Sequence, residues 1–184
     1  MRTLRASASL LLLGLVAIGA PSASAATVCA SADALPTQAS AKKLATATVC
    51  LVNQERTKRG LKPLRVNRRL SKAAAGHARD MVNRDYFSHD SAGGGSFVDR
   101  IKRAGYVAAN AFPSLGEDLA AGSGTLGSAR AIVKSWMESP GHRANILNRK
   151  FREMGIGVVL GMPGGDDGMG SATYAIDFGS GGRR

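Results

Sequence analysis

Apolar residues recur at helical spacing through the first two thirds of the chain and alternate at spacing two near its end. Over residues 39–59, Leu44, Ala47, Leu51 and Val52 fall on one helical face, and Gly60 followed by Pro63 ends the run. Asn67 is a suitable N-cap for a second helix reaching about Arg84. Leu70, Ala74, His77, Ala78 and Met81 form its apolar stripe, with Arg68, Arg69, Lys72, Arg79 and Asn83 largely off it. Ser96 and Asp99 make a capping-box pattern that opens a third helix. Phe97, Ile101 and Ala104 face inward there, and Gly105 closes it. A fourth helix covers about residues 126–138, with Ala129, Val133, Trp136 and Met137 as its buried face. Pro140 and Gly141 stop it, and a short turn carries His142 to Leu147.

The period then changes. Met154, Ile156, Val158 and Leu160 alternate with Gly155, Gly157 and Val159, and Tyr174, Ile176 and Phe178 alternate with Ala175 and Asp177. Two strands are expected, pairing as an antiparallel hairpin across a loop at 163–170. Helices first and strands later, without βαβ alternation, predict an α+β domain with helices packed on an antiparallel sheet.

The N-terminus changes the picture of where the chain works. Arg2 and Arg5 precede an apolar core over residues 10–20 that is too short to span a bilayer. Pro21 and the small run Ala23-Ser24-Ala25 complete a signal peptide, cleaved after Ala25 or, as the second choice, Ala26. An uncleaved anchor is the alternative. The expected organisation is therefore a signal peptide over 1–25, a leader over 26–38 and one domain over 39–184, secreted or held at the cell envelope. No later stretch is apolar enough for a transmembrane segment.

The net charge of +12 falls to about +10 once the signal is removed. Outside a cell such a surface suits teichoic acids, anionic lipid head groups or acidic polysaccharides. Nucleic acid is not expected, because no basic patch is interleaved with aromatics. A merely soluble basic surface is the competing reading. Cys29 and Cys50, an even count behind a signal peptide, read as a disulfide from the leader to the first helix. Lipidation of Cys29 is the alternative, although Ala26-Thr27-Val28 makes a poor lipidation signal.

Candidate chemistry is sparse. The chain has three histidines, His77, His89 and His142, and lacks a phosphate-binding Gly-rich loop, a His-Glu-x-x-His helix and a Gly-x-Ser-x-Gly elbow. His77 lies on an apolar stripe and reads as a core histidine, or as a prop for another polar group. His89 sits in a loop before Gly93-Gly94-Gly95, where it reads either as a surface residue or as one aimed at a cleft. Glu117, between Gly116 and Asp118-Leu119, reads as a partly buried acid that needs a partner. His142 follows a helix end, where it would otherwise serve as a dipole partner. Two imidazoles and a carboxylate, if they converge, suit either Zn²⁺ or acid–base work.

Several stretches, in this order, resemble the CAP superfamily (cysteine-rich secretory, antigen 5, pathogenesis-related-1), in its bacterial branch. They are Leu51-Val52-Asn53-Gln54-Glu55-Arg56, Ala74-Ala75-Gly76-His77-Ala78-Arg79-Asp80-Met81, Tyr86-Phe87-Ser88-His89 and Gly116-Glu117-Asp118-Leu119-Ala120. They continue with the run from Trp136 through Ser139-Pro140-Gly141-His142-Arg143 to Leu147, and with Tyr174-Ala175-Ile176-Asp177-Phe178-Gly179. The resemblance implies an α-β-α sandwich and a cleft of histidines and acids that binds divalent metal such as zinc in some members. It makes His89, Glu117 and His142 the pocket residues, with His77, Asp118 and Ser139 behind them. Three family positions depart: Ser139 stands where the eukaryotic branch has a second glutamate, Thr173 where it has a histidine, and Asp118 where the family usually has an asparagine. The implied function is a module that binds a small ligand, a lipid or a protein, with a metal-dependent hydrolase as the second reading and a vestigial pocket as the third.

Overall fold

The computed structural model describes residues 28–108, 111–165 and 168–181. The expected signal peptide at 1–25 lies outside them. Five helices and four strands follow one another as α1 (Ala41–Thr57), β1 (Arg65–Val66), α2 (Arg68–Asn83), α3 (Phe97–Arg103), β2 (Leu115–Ser123), α4 (Ala129–Glu138), α5 (Pro140–Ile146), β3 (Glu153–Leu160) and β4 (Ser171–Gly179). None of these helices is long and apolar enough to cross a membrane.

Local chemistry sets the helix starts. The Asn67 side chain accepts from the amides of Arg69 and Leu70, and Ser96 and Asp99 complete the capping box of α3. The expected turn after α4 is itself a helix: Pro140 occupies the first turn of α5, where its missing N–H leaves no bond unmade. The expected fourth helix begins later than its spacing predicts, because a 3-10 turn over Gly124–Gly127 precedes it and Ser128 supplies the N-cap.

The sheet order is β1-β3-β4-β2, and both long pairings, β3 with β4 and β2 with β4, are antiparallel. The short β1 adds a parallel pair on β3, so the sheet is mixed; Arg65 N donates to Arg152 O and Asn67 N to Met154 O before the chain turns into α2. One face carries Met154, Tyr174, Ile176 and Phe178 against Leu44, Leu51 and Val52 of α1, Ile132, Val133 and Trp136 of α4, and Ile146 of α5. The other carries Leu119 and Ala175 against Ala74, Ala78 and Met81 of α2, with Leu70, Ile101 and Tyr106 extending it towards α3. The layering is α-β-α, with β4 buried along its whole length.

Cys29 is bonded to Cys50, 21 residues on, and closing a loop of that size stabilises a domain by about 3 kcal/mol in the chain-entropy account. The leader is docked: Cys29 and Ala32 are buried, Arg130 N donates to Ala32 O, and the Arg130 guanidinium grips both carboxylate oxygens of Asp33. Buried Arg56 ties α1 to the end of α5 through the carbonyls of Ile146 and Asn148.

Candidate functional site

The site is built where β2 and β4 pair. Glu117 lies opposite Asp177, which in turn lies opposite Gly155 of β3. Paired positions share a face, so both carboxyls point towards α2 and α3. The Glu117 side chain is wholly buried. Arg100, from the inward stripe of α3, donates from Nη2 to Glu117 Oε2 at 2.6 Å and from Nη1 to Ser91 Oγ at 3.1 Å. His89 donates from Nδ1 to Glu117 Oε1 at 2.8 Å. A carboxylate only accepts, so Nδ1 carries a proton, and Nε2 lies on a half-exposed ring.

Asp177 has no donor among the described residues. Burial, and then the Glu117 charge across the strand pair, raise its carboxyl well above the usual range. Asp177 is therefore protonated beside the Glu117 carboxylate, and Arg100 balances the one remaining charge.

His77 turns inward from α2. Its Nε2 lies 2.8 Å from Ser88 O, which makes Nε2 the protonated nitrogen and fixes the loop that presents His89. Burial, then Arg100, lowers its basicity, so the ring is neutral and Nδ1 is an acceptor without a partner among the described residues. His142, in the first turn of α5, is half-buried; burial and the nearby His89 both lower its basicity. It lines a cavity of about 560 Å³ with Trp136, Leu119, Ile132, Leu126 and Phe87. Ser139 forms the junction between α4 and α5, and its side chain makes no capping bond.

Asp118 sits on the opposite face of β2, away from Glu117's partners. It is fully buried; Oδ1 accepts from Asn145 Nδ2 at 2.7 Å, and Oδ2 has no partner among the described residues. Burial raises its carboxyl, Asn145 opposes this and Glu117 adds to it, leaving it at about 8. The folded state thus keeps a proton that the unfolded chain releases near pH 4. Stability from this group is present at low pH and is lost as pH rises from about 4 to about 8, by up to about 1.4 kcal/mol per unit. Asp118→Asn keeps the acceptor for Asn145 and removes the charge. It should gain on the order of 2 kcal/mol at pH 8 and almost nothing at pH 4.5 in urea unfolding. Equal stability of the two proteins at pH 8 would show that Asp118 is charged in the fold.

The structure thus brings His89 and Glu117 into direct contact and sets His142 within electrostatic reach of His89. Spacing alone missed Arg100 and Asp177. Arg100 was legible in principle, since it falls beside Phe97, Ile101 and Ala104 on the α3 stripe. Among the described residues no three His, Cys, Asp or Glu side chains come together as a metal-ligand set. Both Glu117 oxygens are already engaged, one of them by a guanidinium. These donors do not fit a zinc centre.

The family model of the cysteine-rich secretory proteins, the CAP domain, matches residues 49–174. The chain belongs to this family. This CAP domain is 42% identical over 109 residues to the uncharacterized protein YkwD of Bacillus subtilis, covering 59% of this chain and 40% of that one. It is 36% identical over 108 residues to the uncharacterized membrane protein YlbC of the same organism, covering 59% and 29%. It therefore spans less than half the length of these relatives. Among solved structures it is similar to an extracellular protein containing an SCP domain from Bacillus anthracis, with a TM-score of 0.58 at 28% identity over 76% of this chain and 43% of that one. An outer surface protein of Borrelia burgdorferi has the same fold, with a TM-score of 0.62 at 18% identity, covering 78% of this chain and 96% of that one. These neighbours are bacterial extracellular or surface proteins, and the disulfide of the CAP domain is of a kind that persists in oxidising compartments.

Proposed function

We propose that this CAP domain is a secreted, envelope-associated ligand-binding module whose ligand lies in the cavity beside His142. The observation that carries the reading is that cavity: about 560 Å³, walled by Trp136, Leu119, Ile132, Leu126 and Phe87, with His142 and Ser135 among its few polar groups. Its size falls within the range of small-molecule sites, and its walls suit an apolar body with one polar end, which makes a lipid the favoured class. His142 is held neutral by burial and by His89, so it offers hydrogen bonds without a charge.

A fluorescent fatty acid tests this. The wild-type protein should bind it stoichiometrically with micromolar affinity, and Ala131→Phe, which fills the cavity from α4, should weaken binding about tenfold or more. No binding, or equal binding by Ala131→Phe, would refute the reading. The hydrolase alternative draws support from the His89–Glu117 pair, in which a buried carboxylate orients a half-exposed imidazole. Hydrolysis that survives chelation of metal ions and is lost in His89→Ala would replace the first reading with that one.

A further inference from the structure

A second opening lies on the far side of Arg100, between α2 and α3, with a volume of about 440 Å³. It is unlike the cavity at His142. Lys72 and Arg103 stand on its walls, and neither makes an ion pair with any described residue. Asp80, the acid on its wall, is committed to Arg84 at 3.0 Å and to the Tyr86 hydroxyl at 2.5 Å. Two buried side chains lining it carry polar atoms without a partner among the described residues: Nε of Arg100, 8% exposed, and Nδ1 of His77, 1% exposed. Gly76, in the middle of α2, and Gly93 face open space, with nothing within 4 Å of an added Cβ.

We propose that this cleft is a binding site for a phosphate ester carried on a polyol or sugar. The donors and acceptors select that chemistry. Lys72 and Arg103 bring two positive charges, with Asp99 one turn before Arg103 as the only acid acting on either among the contacts described, and the Arg100 Nε–H adds a donor without a partner among the described residues; together they match phosphate oxygens. His77 Nδ1 is an acceptor, which an anion cannot satisfy and a neighbouring hydroxyl can. The volume is several times that of a phosphate alone and leaves room for the carbon skeleton. A helix glycine with an open Cβ position keeps that room clear at a cost to helix propensity. The ester comes either as a free monoester or as one repeat of a poly(polyol phosphate) chain. The site is independent of the cavity at His142, and its failure leaves the fatty-acid result untouched.

Calorimetric titration of the purified protein at low salt tests the inference. Glycerol 3-phosphate should bind with a dissociation constant of about 1 mM or tighter, while glycerol should not bind and inorganic phosphate should bind more weakly. Lys72→Ala with Arg103→Ala should weaken binding about tenfold or more, and Gly76→Leu should abolish it; neither should lower the melting temperature, and both should keep the wild-type fatty-acid affinity. A poly(glycerol phosphate) chain that binds more tightly per phosphate than the monomer identifies the source as a polymer, and the reverse identifies a free ester; either upholds the site. No heat from the wild type, unchanged affinity in the variants, or inorganic phosphate binding as tightly as the ester would overturn it.

Discussion

Arg100→Met should destabilise the CAP domain by about 3–5 kcal/mol at pH 7, the loss expected when one partner of a buried ion pair is removed. Arg100 provides the charge that balances Glu117 at 2.6 Å. Without it, a wholly buried carboxylate faces a second acid, Asp177, with only half-exposed His89 as a partner. The variant can escape by protonating Glu117. That escape takes up a proton from solution, so the deficit is present at neutral pH and shrinks as pH falls. Urea unfolding of both proteins at pH 7 and pH 5 reads this directly. Adding Glu117→Gln to Arg100→Met should recover part of the loss, because no uncompensated charge remains. A deficit below about 1 kcal/mol at pH 7 would mean that water, not Arg100, balances Glu117.

Gly157→Ala and Gly155→Ala should each cost about 3 kcal/mol, at the upper end of what overpacking a core costs. A Cβ on Gly157 would run into the backbone of Ala75, and one on Gly155 into the backbone of Leu70 and Ser71. Neither obstacle is a flexible side-chain end, so α2 itself must lift from the sheet. Gly76→Ala, on the outward side of the same helix, is the control: its Cβ meets nothing within 4 Å, and it should stabilise by about 0.5–1 kcal/mol. Thermal unfolding monitored by circular dichroism distinguishes the three, with a drop of roughly 10 °C for each strand variant and a small rise for the control. If Gly157→Ala melts with the wild type, α2 does not rest on β3 as described.

The helices and the β3–β4 hairpin were legible because each buries one face and so prints a period on the sequence. β2 was not. Its two faces carry Glu117 and Asp118, both buried and both acidic, so no apolar alternation marks it. Its strand character comes from pairing with β4, far along the chain, as in Glu117 opposite Asp177. The exposed pair Arg65–Val66 carries even less signal. In the site, His89 and Glu117 were found through motif resemblance, and their hydrogen bond gives that resemblance a physical meaning. Asp177 stands in the sequence as an alternating strand residue within a matching stretch, with nothing to mark it as part of the site. Because β4 is covered by helices on both faces, its polar position ends in the core as surely as its apolar ones. The same covering separates Asp118 from the cleft: adjacent residues on a strand point to opposite layers.

The position of β4 also governs how the molecule is assembled. It follows every other described element along the chain, yet it lies between β3 and β2 in the sheet. During synthesis, residues leave the ribosome in order, so α1 to α5 emerge before the strand that joins their two layers. β2 and β3 have no contact with each other in the finished sheet, since each pairs with β4 along that edge. Until residues 171–179 arrive, the apolar stripes of the helices have no common sheet to cover, and Glu117 and Arg100 have no Asp177 to close over. The nascent chain must therefore stay soluble as separate amphipathic pieces, and native structure should form in one late, cooperative step rather than progressively.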